Sequence, residues 1–137
     1  MNLAWARSWM DGLNTKEGLE RTLAMYADEV EFEDLTLGHK ANGKAELRSF
    51  FGGLFAPGAG KNVLTVTAFS GGADGGAAEW TWRAKHEGDF MGTPAAGKQT
   101  EVRGVSILTF REGKVKSQRD YWDSGAVLAQ LAVPKVA

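Results

Sequence analysis

Leu47, Phe50, Phe51, Leu54 and Phe55 fall at i, i+3, i+4, i+7 and i+8. That spacing is the apolar stripe of a helix and predicts one over about 43 to 55. Leu3, Ala6, Trp9, Met10 and Leu13 share the face of an earlier helix, over residues 2 to 13. Asn14, with Glu17 three places on, reads as the cap of a second helix carrying Leu19, Leu23, Tyr26 and Ala27. "VEFED", 30 to 34, alternates Val30 and Phe32 with acids and predicts a short strand. "LTLGHKANG" reads as a loop, which leaves His39 on the surface.

After "APGAGK" the apolar period changes from helical to two. Strands are expected at 62 to 69, 77 to 86, 100 to 110 and over "VKSQRDYW". "REGK" is a tight turn in which Gly113 supplies a positive φ. "SGAVLAQLAV" predicts a short terminal helix or turn, with Ser124 as its cap. Helices first and a meander afterwards form an α+β pattern, read as one domain over residues 1–137. A curved antiparallel sheet wrapped over three helices makes a cone-shaped α+β barrel, open at one end, where pockets form.

Strand parity decides which side chains face that opening. Trp80, Trp82, Ala84 and His86 share one face of their strand. Val102, Gly104, Ser106, Leu108 and Phe110 share one face of the next. In "QRDYWD", Gln118, Asp120 and Trp122 lie together, opposite Arg119, Tyr121 and Asp123. Neither face of the 100–110 strand is plainly polar, which predicts cover on both sides, by helices and by a second subunit.

Asp120 is the first candidate for chemistry. A carboxylate among aromatics loses hydration, and its pKa rises toward the range useful for proton transfer. The plainer alternative is a solvated strand-end carboxylate paired with a cation. Asp34 ends "EFED" and either projects into the same mouth or initiates a turn. His86 shares parity with Trp80 and Trp82 and titrates near neutrality, although a strand end beside "EGD" favours exposure.

Composition narrows the function. The 137 residues hold 16 basic and 17 acidic side chains, a net charge of −1, and no basic stripe. Nucleic acid and anionic membranes are therefore not expected partners. The absence of cysteine excludes disulfide and thiol chemistry, and two separated histidines argue against a zinc site. No glycine run has phosphate-loop spacing, so neither a metal nor a cofactor is expected. "MNLAWARSWMDG" has no apolar run long enough for a signal peptide or span, and a cytoplasmic location is expected by default. Five tryptophans leave large apolar surfaces to cover, whether in a core, a pocket or an interface.

Three stretches, "YADEVEFEDLTLGHKANGKAELRSFFGGLF", "EWTWRAKHEGDFMGTPAAGK" and "VRGVSILTFREGKVKSQRDYWD", resemble the SnoaL-like polyketide cyclases. That group sits in the nuclear-transport-factor-like, or ketosteroid-isomerase-like, superfamily, and the likeness spans roughly residues 2 to 131. It implies the cone, a deep apolar pocket and a homodimer through the outer sheet face. It also implies that Asp120 is the acid/base of an aldol closure, although Ser106 stands where those cyclases carry an assisting histidine. The last strand is also similar to that of limonene epoxide hydrolase, in which the aspartate matching Asp120 activates water. Trp80 and Trp82 replace that site's arginine and second aspartate. The proton-shuttling aspartate of ketosteroid isomerase matches Asp34, while Trp9 and Ser106 stand near its oxyanion-holding groups.

The carboxylates match and their partners differ. This fits a pocket for a small, flat hydrophobic or aromatic ligand or substrate, held by stacking. Trp9, Phe32, Trp80, Trp82, Ser106, Leu108, Gln118 and Trp122 are its expected lining, and Asp120, Asp34 and His86 its expected acid/base groups. Two functions follow. One is a cofactor-free enzyme for cyclisation, isomerisation, dehydration or hydration. The other is a non-catalytic module that binds a hydrophobic ligand, favoured by the missing oxyanion donors.

Overall fold

The structure, a computed structural model, describes residues 1–133. Helices α1 (Leu3–Asp11), α2 (Leu19–Leu23) and α3 (Lys44–Gly52) precede most of the sheet, and α4 (Ser124–Ala132) follows it. The strands are β1 (Tyr26–Asp34), β2 (His39–Asn42), β3 (Lys61–Gly71), β4 (Gly75–Lys85), β5 (Gln99–Arg111) and β6 (Lys114–Trp122). They form one curved sheet in the order β2-β1-β6-β5-β4-β3. The α+β class holds, with one correction: β1 pairs with β6 in parallel, so the sheet is mixed rather than wholly antiparallel.

Local corrections have physical causes. Asn14 does not cap α2. Its amide spans to β3, accepting from Leu64 N–H at 2.7 Å and donating to Leu64 C=O at 2.9 Å. The second helix therefore starts only at Leu19, and Tyr26 and Ala27 belong to β1. A register shift between Tyr26 and Glu31 breaks the alternation of β1, which hid its first half. The 35–43 loop contains β2, which brings exposed His39 onto the ring of Phe50 at 4.7 Å. Asp123, not Ser124, caps α4 by accepting from Ala126 N–H at 3.1 Å. The β5–β6 turn has positive φ at both Glu112 and Gly113, as a two-residue hairpin requires.

The core lies between the sheet's concave face and α1–α3. Trp9, Leu23, Tyr26, Val30, Leu47, Leu108 and Val115 are fully buried there. A smaller cluster of Ala95, Val102, Val127 and Leu131 joins α4 to the sheet and meets Trp82, Phe90 and Trp122. No helix among the described residues is long and apolar enough to cross a membrane.

Candidate active site

The parallel pairing of β1 with β6 sets Asp34 and Asp120 opposite each other in register. Both carboxylates line one cavity of about 340 Å³. The second acid of "QRDYWD" is excluded by parity, since Asp123 is exposed and spent as a helix cap.

Asp120 sits at the end of two hydrogen-bond chains whose direction is forced. In the first, Trp9 Nε1 donates to Tyr26 Oη at 2.9 Å, and Tyr26 donates to Gln118 Oε1 at 2.5 Å. Gln118 Nε2 then donates to Asp120 Oδ1 at 2.9 Å. In the second, Trp80 Nε1 donates to Ser106 Oγ at 3.0 Å, and Ser106 donates to Asp120 Oδ1 at 2.6 Å. An indole nitrogen can only donate. Each chain therefore starts at a fixed donor, and each hydroxyl behind it must pass its proton toward Asp120. Oδ1 accepts twice, while none of the described residues bonds Oδ2. When Asp120 is protonated, its proton belongs on Oδ2.

Burial pushes the Asp120 pKa up to about 7. The bonds from Ser106 and Gln118 act against this, and the charge of Asp34 adds to it. The neutral and ionised forms are thus close in energy near neutral pH. Burial also holds the Tyr26 hydroxyl well above its ordinary value, so that Tyr26 remains a donor.

Gly104 makes the second chain possible. It pairs with Trp80 across β4 and β5, and a Cβ there would lie 2.3 Å from the indole ring. The bare backbone lets the ring lie flat across β5 and reach Ser106. A glycine inside an apolar strand was the signal for such a close approach.

Asp34 is held differently. Trp122 Nε1 reaches its two oxygens at 3.2 and 3.1 Å, and Leu37 N–H donates to Oδ1 at 2.9 Å. The last bond ties Asp34 to the backbone three residues on, so Asp34 both holds the turn after β1 and faces the cavity. His86 is buried, against the exposure expected at a strand end, because the 86–98 segment folds back over it. Its Nε2 lies 2.8 Å from Thr100 Oγ1, and burial lowers its pKa. Phe90 from that segment packs on His86, Trp82 and Trp122 at 5.4, 5.6 and 6.2 Å.

Of the expected lining, Trp80, Trp82, Gln118 and Trp122 reach the cavity. Trp9, Phe32, Ser106 and Leu108 do not: they are buried behind the wall. Trp9 and Ser106 act on the cavity through hydrogen bonds that lead to Gln118, Trp80 and Asp120, whereas Phe32 packs at an angle on Phe50 and edge-on to Phe51. Parity selects the inward face but not the depth along it, which is why the three strand residues were misplaced, and Trp9 on α1 turns into the core. Tyr26 was missed as a site residue because it was placed on a helix. Among the described residues no group of three His, Asp or Glu side chains is arranged to hold a metal ion.

The family model of the SnoaL-like polyketide cyclases matches residues 4–131, and the chain belongs to that family. Solved structures agree on the fold. A protein with a ketosteroid isomerase-like fold from Catenulispora acidiphila, solved in complex with trimethylamine, is 16% identical with a TM-score of 0.79, covering 98% of this chain and 96% of its own. TsrD from Streptomyces laurentii is 19% identical at 0.77, covering 94% and 92%. A SnoaL-like polyketide cyclase from Agrobacterium tumefaciens is 20% identical at 0.75, covering 95% of each chain. No curated protein matches the sequence.

Proposed function

We propose that the chain is a cofactor-free acid/base enzyme acting on a small hydrophobic carbonyl compound. Aldol cyclisation, isomerisation or dehydration would proceed with Asp120 carrying the proton. One observation supports this reading above the others: Asp120 offers an aromatic cavity a carboxyl with Oδ1 pinned by two donors and Oδ2 free.

In the ionised form, Oδ2 takes a proton from the carbon next to the carbonyl. The C–H electron pair becomes the enolate. In a cyclisation the enolate carbon attacks a second carbonyl of the same molecule, and Oδ2 returns its proton to the new alkoxide. General acid–base catalysis of this kind contributes roughly 10²- to 10⁴-fold. Asp34 raises the proton affinity of Asp120 through its charge. His86 enters as a neutral polar contact in the wall. Cavity size suits a compact substrate: a cavity of roughly 150 Å³ holds one benzene ring, so about 340 Å³ suits about two fused rings. A homodimer through the outer sheet face belongs to the same proposal, since Val63 and Tyr121 are exposed on that face.

The test is exchange of the α-protons of 2-tetralone in D2O, followed by proton NMR. Wild type should exchange them faster than buffer, and Asp120→Asn should lose roughly 10²- to 10⁴-fold of the enhancement. Equal rates for the two proteins would remove the catalytic role. Binding of the ketone with no exchange by wild type would establish the second reading, a ligand-binding module. One observation favours that reading: the indole N–H groups of Trp80, Trp82 and Trp122 all donate into the wall, to Ser106, Asn62 and Asp34, and so hold no oxyanion.

A further inference from the structure

The cavity shows its contents acceptors and ring faces. The indole N–H of Trp82 goes to Asn62 Oδ1 at 2.8 Å, that of Trp80 to Ser106 and that of Trp122 to Asp34. The Gln118 amide donates to Asp120 and Ser106, and the Asn62 amide donates to the backbone carbonyls of Leu54 and Ala59. Trp82 and Trp122 meet edge to face at 5.5 Å, forming an aromatic corner beside Asp34.

Charge in the lining has one sign. Its titratable side chains are Asp34 from β1, Asp120 from β6, and His86 and Asp89 from the 86–98 segment. Those contributed by α1, α3, β3 and β4 are uncharged. Among the described residues that line the cavity, none is lysine or arginine. Two carboxylates set in register across β1 and β6 repel each other unless a proton or another positive charge lies near them. A cation also gains from indole faces, most of all where water is displaced.

We infer that the site takes a hydrophobic amine: a flat, roughly two-ring molecule whose ammonium group lies against Asp34 and Asp120 and the faces of Trp82 and Trp122. This rests on the proposed use of the cavity and names the substrate class, a carbonyl compound that carries a basic nitrogen. The positive charge would do the work that a wall donor does elsewhere. When bound, it favours the ionised form of Asp120, and so the base, further than the empty cavity does.

Isothermal titration with (2-naphthylmethyl)trimethylammonium and with neutral 2-naphthylmethanol reads the preference directly. At pH 8 the cation should bind at least about tenfold more tightly than the alcohol, the range expected of a desolvated cation–π contact. The preference should shrink several-fold at pH 5.5, where Asp120 holds its proton, and in Asp34→Asn. Equal affinities at pH 8 overturn the inference, as does a preference indifferent to both pH and Asp34→Asn. The wild-type pH series decides the matter even where the variant does not fold. Asp120-dependent exchange of 2-tetralone without any cation preference would leave the enzyme reading intact and remove only the amine.

Discussion

Asp120 and His86 face the same cavity, and burial acts on both in the same sense, toward the neutral form. The consequences are opposite. For the aspartate, neutrality means a raised pKa, which brings it to about 7 and into the working range. For the histidine it means a lowered pKa, so burial works against its charged form. In the proposed mechanism the carboxyl therefore carries the proton and the histidine does not, although an isolated histidine is the better neutral-pH group.

The sharpest way to break this comparison is to remove each group in turn. Asp120→Asn should cost roughly 10²- to 10⁴-fold in α-proton exchange, and His86→Gln less than about tenfold. The reverse order would assign the proton to the histidine.

Stability against pH should separate the two groups as well. Between about pH 4 and 7 the folded chain keeps the Asp120 proton that the unfolded chain has lost, so stability falls as pH rises. Asp120→Asn should therefore be more stable than wild type by a few kcal/mol at pH 8, with the gap closing near pH 4. His86 acts in the opposite direction. Its folded pKa lies below the unfolded value of about 6.5, so its effect is to lower stability as pH falls through that region. Urea titrations across pH on both variants give the two slopes.

Ser106→Ala should cost about 1–3 kcal/mol, because the Trp80 indole loses its acceptor in a buried place. It should also move the Asp120 pKa further up, since the Ser106 bond lowers it. Gly104→Ala should disturb the same contact by displacing the Trp80 ring. The smallest effect belongs to Asp34→Asn, which should bring the Asp120 pKa down by removing a negative neighbour. An upward movement would mean that the two carboxylates do not sense each other.

The regular parts of the chain were legible, and the reason is periodic. The stripe of Leu47, Phe50 and Phe51 and the parity of Gln118, Asp120 and Trp122 follow from backbone geometry alone. Partners set by long-range pairing were not. The shift in β1 hid Tyr26, the parallel β1–β6 pairing that joins Asp34 to Asp120 has no local signal, and Asn14 bonds fifty residues away rather than capping α2. His86 looked exposed because nothing near it in sequence shows that the 86–98 segment covers it.

The central claim is that Asp120 works as a proton carrier because the cavity holds its carboxyl near neutrality. The most direct test is a pH titration of the carboxyl carbon of Asp120 by carbon-13 NMR, with the resonance assigned by its loss in Asp120→Asn. The account predicts a midpoint at about 7 in the wild type. A midpoint near 4, the value of a solvated aspartate, would contradict it.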